Sequence, residues 1–477
     1  MLFNSFPFLL FFIAVIILFF TLPQKLKNLF LLLASYYFYF CGGAEYLLLL
    51  IGFTLYNYWA ALYIEKIKNE NVRKLLFIAT LVLDVCPLFF FKYFNFFSSA
   101  LQSVFAEFNL LYNLPLLSIA LPLGISFYTF ITIGYIIDVY WKARAPETNL
   151  INFSLYVAFF PQILSGPIAR STSLIPQFYT SHSFTCQNAS DGLKLLLWGF
   201  FQKFVIADNV APYVDTVYNN VSLHYGSSML LASYLFAFQL YCDFAGYSNL
   251  AIGSARILGF ELMENFRKPY FATSVTEYWK RNHISLTTWL RDYIFYPLMG
   301  SSFTTAKIST SIIIMFLISG LWHGANWTFI IWGLIQGVYL VYDLWTAKWN
   351  KKIIKYFKQH GFLRVKEGFD VLLTFNLIVL GLIFFRANSV ADAFQIIQNI
   401  FSFNWPELFW GDDPSLFYGL CGIFILLTIE TLQKDLTFTE FINRRGIAVR
   451  WAFYCFCIIT ILLIGALNGK SFIYFQF

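Results

Sequence analysis

Two histidines in this chain have residue types and neighbours suited to proton chemistry. His323 stands in Leu321-Trp322-His323-Gly324-Ala325-Asn326-Trp327, where apolar runs at 308–322 and 327–344 meet. An ionisable group at such a junction is expensive to keep in an apolar phase, which makes it a functional-site candidate. Burial disfavours a charged imidazolium, and a neutral imidazole can take the proton of an attacking hydroxyl, the work of a general base. Gly324 and Ala325 leave the backbone uncrowded, Asn326 adds a polar group, and Trp322 and Trp327 could wall a pocket. The same spacing suits an interfacial histidine set between belt tryptophans, and spacing alone does not separate the two.

The second tract runs Tyr278-Trp279-Lys280-Arg281-Asn282-His283-Ile284-Ser285-Leu286-Thr287-Thr288-Trp289-Leu290-Arg291-Asp292-Tyr293. Read as one helix, it puts His283, Thr287 and Arg291 on one face and Ser285, Trp289 and Asp292 on a neighbouring one. A base, hydroxyls and charges thus gather on one side, although a solvated cytoplasmic surface helix has the same pattern. The basic groups could attract a negatively charged donor such as a coenzyme A phosphate. Gln162, beside the helix-breaking Pro161 and the Ser165-Gly166-Pro167 turn, and Asp243 are further candidates to line a substrate tunnel. For Asp243 the simpler expectation is internal pairing that holds helices together. Asp84 and Lys92 are expected to have structural partners. No phosphate-binding loop, Gly-x-Ser-x-Gly elbow or metal-spaced His/Asp cluster occurs, so ATP-driven transport, serine-hydrolase chemistry and a metal site lack support.

Composition decides where these residues must sit. The chain has 477 residues, 59% hydrophobic and 21% aromatic, with 12% charged and a mean hydropathy of +0.65. Soluble domains carry about 25% charged residues, so this chain has half the usual means of staying in water. A single soluble core cannot hide 59 Phe; a bilayer can. The formal charge of +7 lies in short Lys/Arg clusters between apolar runs, a pattern of cytoplasmic loops beside anionic lipid rather than of nucleic-acid binding. The seven Cys have no zinc or disulfide spacing and read as packing residues.

Apolar runs fall at 6–22, 29–41, 46–64, 75–97 and 114–140, with weaker ones at 153–163, 193–211 and 229–258. Clear runs return at 308–322, 327–344, 371–385, 416–432 and 451–467. The first run has no preceding positive residue and no cleavage site after it, so it reads as a permanent span. The reading is an all-α, polytopic transmembrane protein of about 11–13 membrane helices, with re-entrant or amphipathic helices. No internal repeat or separable soluble domain is visible, so residues 1–477 read as one integral-membrane domain. Clusters at Lys25/Lys27, Lys66–Lys74, Lys142/Arg144, Lys348–Lys358 and Arg444–Arg450 should face the cytoplasm, and the acidic 388–415 segment should face outward. The stretch 260–300 is too polar for a lipid-facing span. It reads as an amphipathic or re-entrant helix entering from the cytoplasmic side, opened by a capping-box-like Thr273-Ser274 with Glu277.

With these residues in view, the chain resembles the membrane-bound O-acyltransferase family. The resemblance rests on the 278–298 tract, then Trp322-His323-Gly324 and Trp327-Thr328-Phe329-Ile330-Ile331-Trp332-Gly333. Supporting stretches are Leu121–Phe130, Pro161–Pro167, Gln239–Asn249 and Phe384-Phe385-Arg386-Ala387. Within the family the chain most resembles the bacterial branch that acetylates alginate or peptidoglycan, and the C-terminal Phe472-Ile473-Tyr474-Phe475-Gln476-Phe477 fits that branch too. Asn282 stands where the family's pattern has Trp, and Met299 where Gly is usual.

The resemblance implies a many-helix fold around a central tunnel, His323 as the essential catalytic residue and His283 as a second functional histidine. It implies no bound cofactor, with acetyl-CoA as the cytoplasmic acyl donor. Transfer would run outward across a bacterial cytoplasmic (inner) membrane to hydroxyls of a cell-surface polysaccharide, through a periplasmic or extracellular acetyltransferase partner. Membrane lipid is the other expected partner; nucleic acid is not. D-alanyl transfer to teichoic acid, a transporter or flippase, and a structural scaffold subunit are the competing readings.

Overall fold

The computed structural model describes all residues except 2, 109–115, 118–121, 302, 404, 406, 412–413, 468–471 and 474–477. The start of the expected run at 114–140, the outward acids Asp412 and Asp413, and the end of the C-terminal motif lie outside the described residues. Among those described, every regular element is helical. Among the described residues, eight helices are long and apolar enough to cross a membrane, and three more are apolar but shorter. A chain with so many apolar helices is a multi-pass membrane protein. The described residues gather into two compact units, one of Met1–Leu193 with Leu250–Met263, the other of Lys194–Asn249 with Glu264–Phe477.

The first unit holds α1 (Phe6–Thr21), α2 (Gln24–Phe40), α3 (Ala44–Lys66), α4 (Glu70–Glu107), α5 (Ile125–Tyr140) and α6 (Leu150–Ile163). Asn69 opens α4, its side chain accepting from the Asn71 and Val72 amides. Pro87 lacks the amide that would continue the ladder, and a π turn at Phe89–Tyr93 follows it without ending the helix. Asp84 has the expected structural partner: Asn57 Nδ2 on α3 donates to its Oδ1 at 2.7 Å, inside the helix pair. The predicted break near Pro161 occurs two residues early, where Phe159 leaves helical geometry. Gly166 is required there, since a Cβ would lie 2.5 Å from Gln162 Cα.

The second unit holds most of α7 (Gly226–Ile257), then α8 (Val275–Arg281), α9 (Ile284–Leu290), α10 (Thr305–His323), α11 (Trp327–Gln359), α12 (Leu363–Arg386), α13 (Ser415–Gln433) and α14 (Ile447–Ile464). The run expected at 327–344 continues through the Lys348–Lys358 cluster as helix. This corrects the reading of that cluster as a loop: lysine is a good helix former, and no glycine interrupts until Gly361. At 33 residues, α11 is about 50 Å long, so its lysine-rich turns project beyond an apolar layer of about 30 Å.

α10 and α11 pack closely enough for backbone to meet backbone. A Cβ on Gly320 would lie 2.3 Å from Phe329 O, and one on Gly333 2.3 Å from Phe316 O. Small residues at such a crossing let membrane helices approach and gain dispersion contacts that no larger side chain would allow. The turn between them is short because Gly324 leaves the helix in extended geometry. Asn326 then caps α11, accepting from the Thr328 amide at 3.1 Å. Asn326 Nδ2 also donates to Asn388 O at 3.3 Å. The α10–α11 turn and the end of α12 therefore lie together, at the end of the group opposite the lysine-rich turns.

The polar stretch 260–300 is not one helix. Asn282 is extended and His283 left-handed, at φ 47°, so α8 and α9 are separate helices with His283 at the start of the second. An irregular segment crosses the break and holds it open: Arg267 N donates to Arg281 O and Ile284 N to Asn265 O, at 2.8 and 2.9 Å. The shared faces expected for a continuous helix fail for that reason. His283 is buried while Arg291 is exposed. The capping expectation holds with one change. Ser274 accepts from the Glu277 amide at 3.1 Å, but the Glu277 carboxylate reaches past it to the Thr273 amide and hydroxyl at 2.7 Å.

Candidate functional site

α8 climbs alongside α11. The Thr276 amide and hydroxyl bond Asp343 Oδ2 at 2.8 and 2.9 Å. One turn on, Trp279 Nε1 donates to Gln336 Oε1 at 3.2 Å. Asp343 and Gln336 are about 10 Å apart along the axis of α11, so α8 runs away from the lysine-rich end and delivers His283 towards the α10–α11 turn. The expected single amphipathic helix is thus replaced by two short helices, the first of them running alongside α11.

His323 is the last residue of α10 and only 4% exposed. Its imidazole sits among aromatic rings: Trp322 at 4.8 Å, Trp332 at 4.9 Å and edge-on, and Phe385 at 5.1 Å. Trp332 and Phe385 lie in stretches that carried the family resemblance but had no role assigned; only the packing of α10, α11 and α12 brings them to the ring. Trp322 also contacts His283, with ring centroids 6.2 Å apart. The two histidines, 40 residues apart in sequence, thus share one indole.

His283 is 2% exposed. Phe244 stands edge-on to it at 4.5 Å, and Phe266 is stacked on it at 6.3 Å. Burial pushes its imidazole down to about 3, so the ring is neutral at physiological pH. Its Nδ1 lies 3.3 Å from Asn265 Oδ1, and its Nε2 is buried with no hydrogen-bond partner. Ser319 Oγ, one turn before His323 on α10, Thr328 Oγ1 and Trp332 Nε1 are likewise buried and unsatisfied. Buried polar groups are nearly always paired, so these unsatisfied atoms and the two buried imidazoles make this a candidate site for a polar ligand.

The other sequence candidates divide. Ser285 is fully buried and donates to Asn265 Oδ1 at 2.9 Å, beside His283. Trp322 lies between the histidines. Asn326 is engaged as a helix cap, Trp327 is 56% exposed, and Trp322 packs against the imidazole. Trp327 begins a new helix after the turn, which rotates it outward. Arg291 and Asp292 pair with each other at 2.9 Å on the outer side of a π turn, Arg291–Phe295. Asp243 is paired, as its composition suggested: Lys203 Nζ donates to Oδ1 at 2.5 Å and the Ile473 amide to Oδ2 at 2.7 Å. Lys203 also bridges Asp208 at 2.8 Å. Gln162 belongs to the first unit, where its Nε2 donates to Tyr156 O at 2.5 Å.

Sequence reasoning missed Asn265 and Gln336. Gln336 did carry a signal, as an amide in the middle of an apolar helix. Asn265, in an irregular polar stretch, carried none.

The sequence profile of the membrane-bound O-acyltransferase family matches residues 142–354, which include both histidines. The chain is 37% identical over 412 residues to the probable alginate O-acetylase AlgI of Pseudomonas aeruginosa, covering 86% of this chain and 76% of that protein. It is 33% identical over 396 residues to the peptidoglycan O-acetyltransferase of Helicobacter pylori, covering 76% and 72%. To the teichoic acid D-alanyltransferase of Bacillus subtilis it is 28% identical over 274 residues, covering 55% and 68%. Identity at this level across most of both chains, joined to a polytopic helical fold with His283 and His323 on one indole, makes the chain a member of the membrane-bound O-acyltransferase family, a membrane-embedded acyltransferase.

Proposed function

We propose that the protein moves an acetyl group from cytoplasmic acetyl-CoA, across a bacterial cytoplasmic membrane, to hydroxyls of an extracytoplasmic polysaccharide, with His323 as general base. The observation that carries this reading is the buried His323 imidazole in its aromatic enclosure, at the end of α10 remote from the lysine-rich turns of α11. Those lysines favour the cytoplasmic side, so the imidazole lies toward the outward side. A thioester delivered from inside then meets a hydroxyl from outside, without passage of a charged coenzyme through lipid.

In the transfer, His323 takes the hydroxyl proton as the oxygen attacks the thioester carbonyl. The new C–O bond forms and the C–S bond breaks. The thiolate leaves and takes the proton back from the imidazolium, leaving the acetyl ester and free coenzyme A. Delivery to the final glycan runs through an extracytoplasmic acetyltransferase partner. The names of the relatives with the longest matches support acetyl as the group and a glycan as the acceptor. D-alanyl transfer is the alternative that the shorter, less identical match would favour.

The test is thioester turnover by purified protein with labelled acetyl-CoA. His323→Ala should lower turnover by about 10²–10⁴-fold, the usual worth of a positioned base. Equal turnover in His323→Ala and wild type, above a blank without enzyme, overturns the assignment. A labelled D-alanyl thioester used in preference to acetyl-CoA would select the alternative.

A further inference from the structure

Asn265 bonds more of the site than any single contact reveals. Its side-chain orientation is fixed by a backbone amide: Ser285 N–H, which can only donate, points at Oδ1 from 3.1 Å. Ser285 Oγ donates to the same oxygen at 2.9 Å. At the other end Nδ2 donates to Ser248 Oγ at 3.0 Å, on α7. Asn265 O accepts from Ile284 N at 2.9 Å, so the residue is tied at both backbone and side chain to the start of α9. With Oδ1 established as an acceptor, the nitrogen 3.3 Å away, His283 Nδ1, must carry the hydrogen. Nε2 is then the bare nitrogen. It has a lone pair, it is buried, and it has no partner.

We infer that Asn265 is a positioning residue that locks His283 in its Nδ1–H form and so presents an Nε2 lone pair to an N–H or O–H of a bound substrate. This rests on the acyltransferase reading of His323, because the shared contact with Trp322 is what assigns the two imidazoles to one ligand. The left-handed backbone at His283 fits the same role. A non-glycine residue is held there only when its surroundings over-determine it, and the bonds from Asn265 to both following residues do so. His283, neutral over the working range, acts as an acceptor and not as a charge. The donors that fit are the amide N–H groups of the pantetheine arm of coenzyme A and the hydroxyl of the acceptor.

The experiment is a double-mutant cycle on acetyl-CoA turnover, with and without acceptor glycan, across pH. Asn265→Ala and His283→Ala should each lower kcat/KM by about tenfold or more, the worth of one oriented hydrogen bond. The double variant should be no worse than His283→Ala alone. Asn265→Asp keeps an acceptor for Nδ1–H, and its carboxylate makes the imidazole more basic. It should be more active than Asn265→Ala, with the acidic limb of the pH profile moved upward, and it carries the test if Asn265→Ala does not fold. A raised KM for acetyl-CoA without glycan assigns the partner to the pantetheine amides; a raised KM for glycan alone assigns it to the hydroxyl. Losses that multiply in the double variant, or an Asn265→Asp profile identical in pH dependence to wild type, overturn the inference while His323→Ala is still inactive. Full turnover in His323→Ala instead removes the reading beneath it.

Discussion

At the scale of single residues, the site is a problem of keeping neutral polar groups in an apolar surround. His283 shows the consequence for stability. Its folded imidazole ionises near 3, whereas an unfolded one ionises near 6.5, so below that pH the unfolded chain binds the extra proton. Stability from this group is full above about pH 6.5 and declines as pH falls towards 3, by up to about 1.4 kcal/mol per unit. Unfolding of purified protein followed between pH 7 and 4 should show that slope, and His283→Gln should flatten it. Asn326 offers the opposite kind of test, because the structure makes it a helix cap. Asn326→Ala should cost about 0.5–2 kcal/mol of stability while turnover stays within a few-fold of wild type. A large loss of turnover with unchanged stability would put Asn326 on the substrate path instead.

At the scale of elements, the close crossing of α10 and α11 positions His323. Adding a side chain at Gly320, where a Cβ would meet Phe329 O at 2.3 Å, must push the helices apart. Gly320→Val should cost about 1–3 kcal/mol by overpacking, and should reduce turnover as the imidazole leaves Trp332 and Phe385. Gly368 on α12 is the matched control, since a Cβ there meets nothing within 4 Å. Gly368→Ala should leave turnover unchanged and raise stability by up to about 1 kcal/mol, because alanine loses less backbone entropy in a helix. Thermal unfolding in detergent separates the two. Elsewhere in this unit, Lys203 with Asp208 and Asp243 forms a buried charge cluster that also holds the Ile473 amide. Lys203→Met removes the cation shared by two buried carboxylates and should destabilise by about 3–5 kcal/mol, read in the same assay.

At the scale of the whole molecule, the testable quantity is orientation. The lysine-rich end of α11 and the Asn326–Asn388 end of the same helix group lie at opposite ends. With the native cysteines replaced, a cysteine at Lys355 should react with a membrane-impermeant maleimide only in inverted vesicles, and one at Asn388 only in intact cells. The reverse pattern would place His323 on the donor's side and refute the outward course of transfer.

What the sequence determined by itself follows from solvent. A chain with 59% hydrophobic and 12% charged residues has to bury its helices in lipid, so class, approximate spans and the cost of placing His323 among them were legible from composition and pattern. So was the pairing of Asp243, because a carboxylate in an apolar run needs a cation. Tertiary structure decided which groups surround the imidazoles. One helix through 278–293 satisfied the local pattern, yet the bonds from 265–267 to Arg281 and Ile284 break it at His283. Trp332 reaches His323 across the α10–α11 turn, Phe385 reaches it from α12, and Asn265 reaches His283 from the irregular segment before α8. Periodicity reports only which face of a segment is apolar. It holds no information on which distant side chain will satisfy a buried nitrogen.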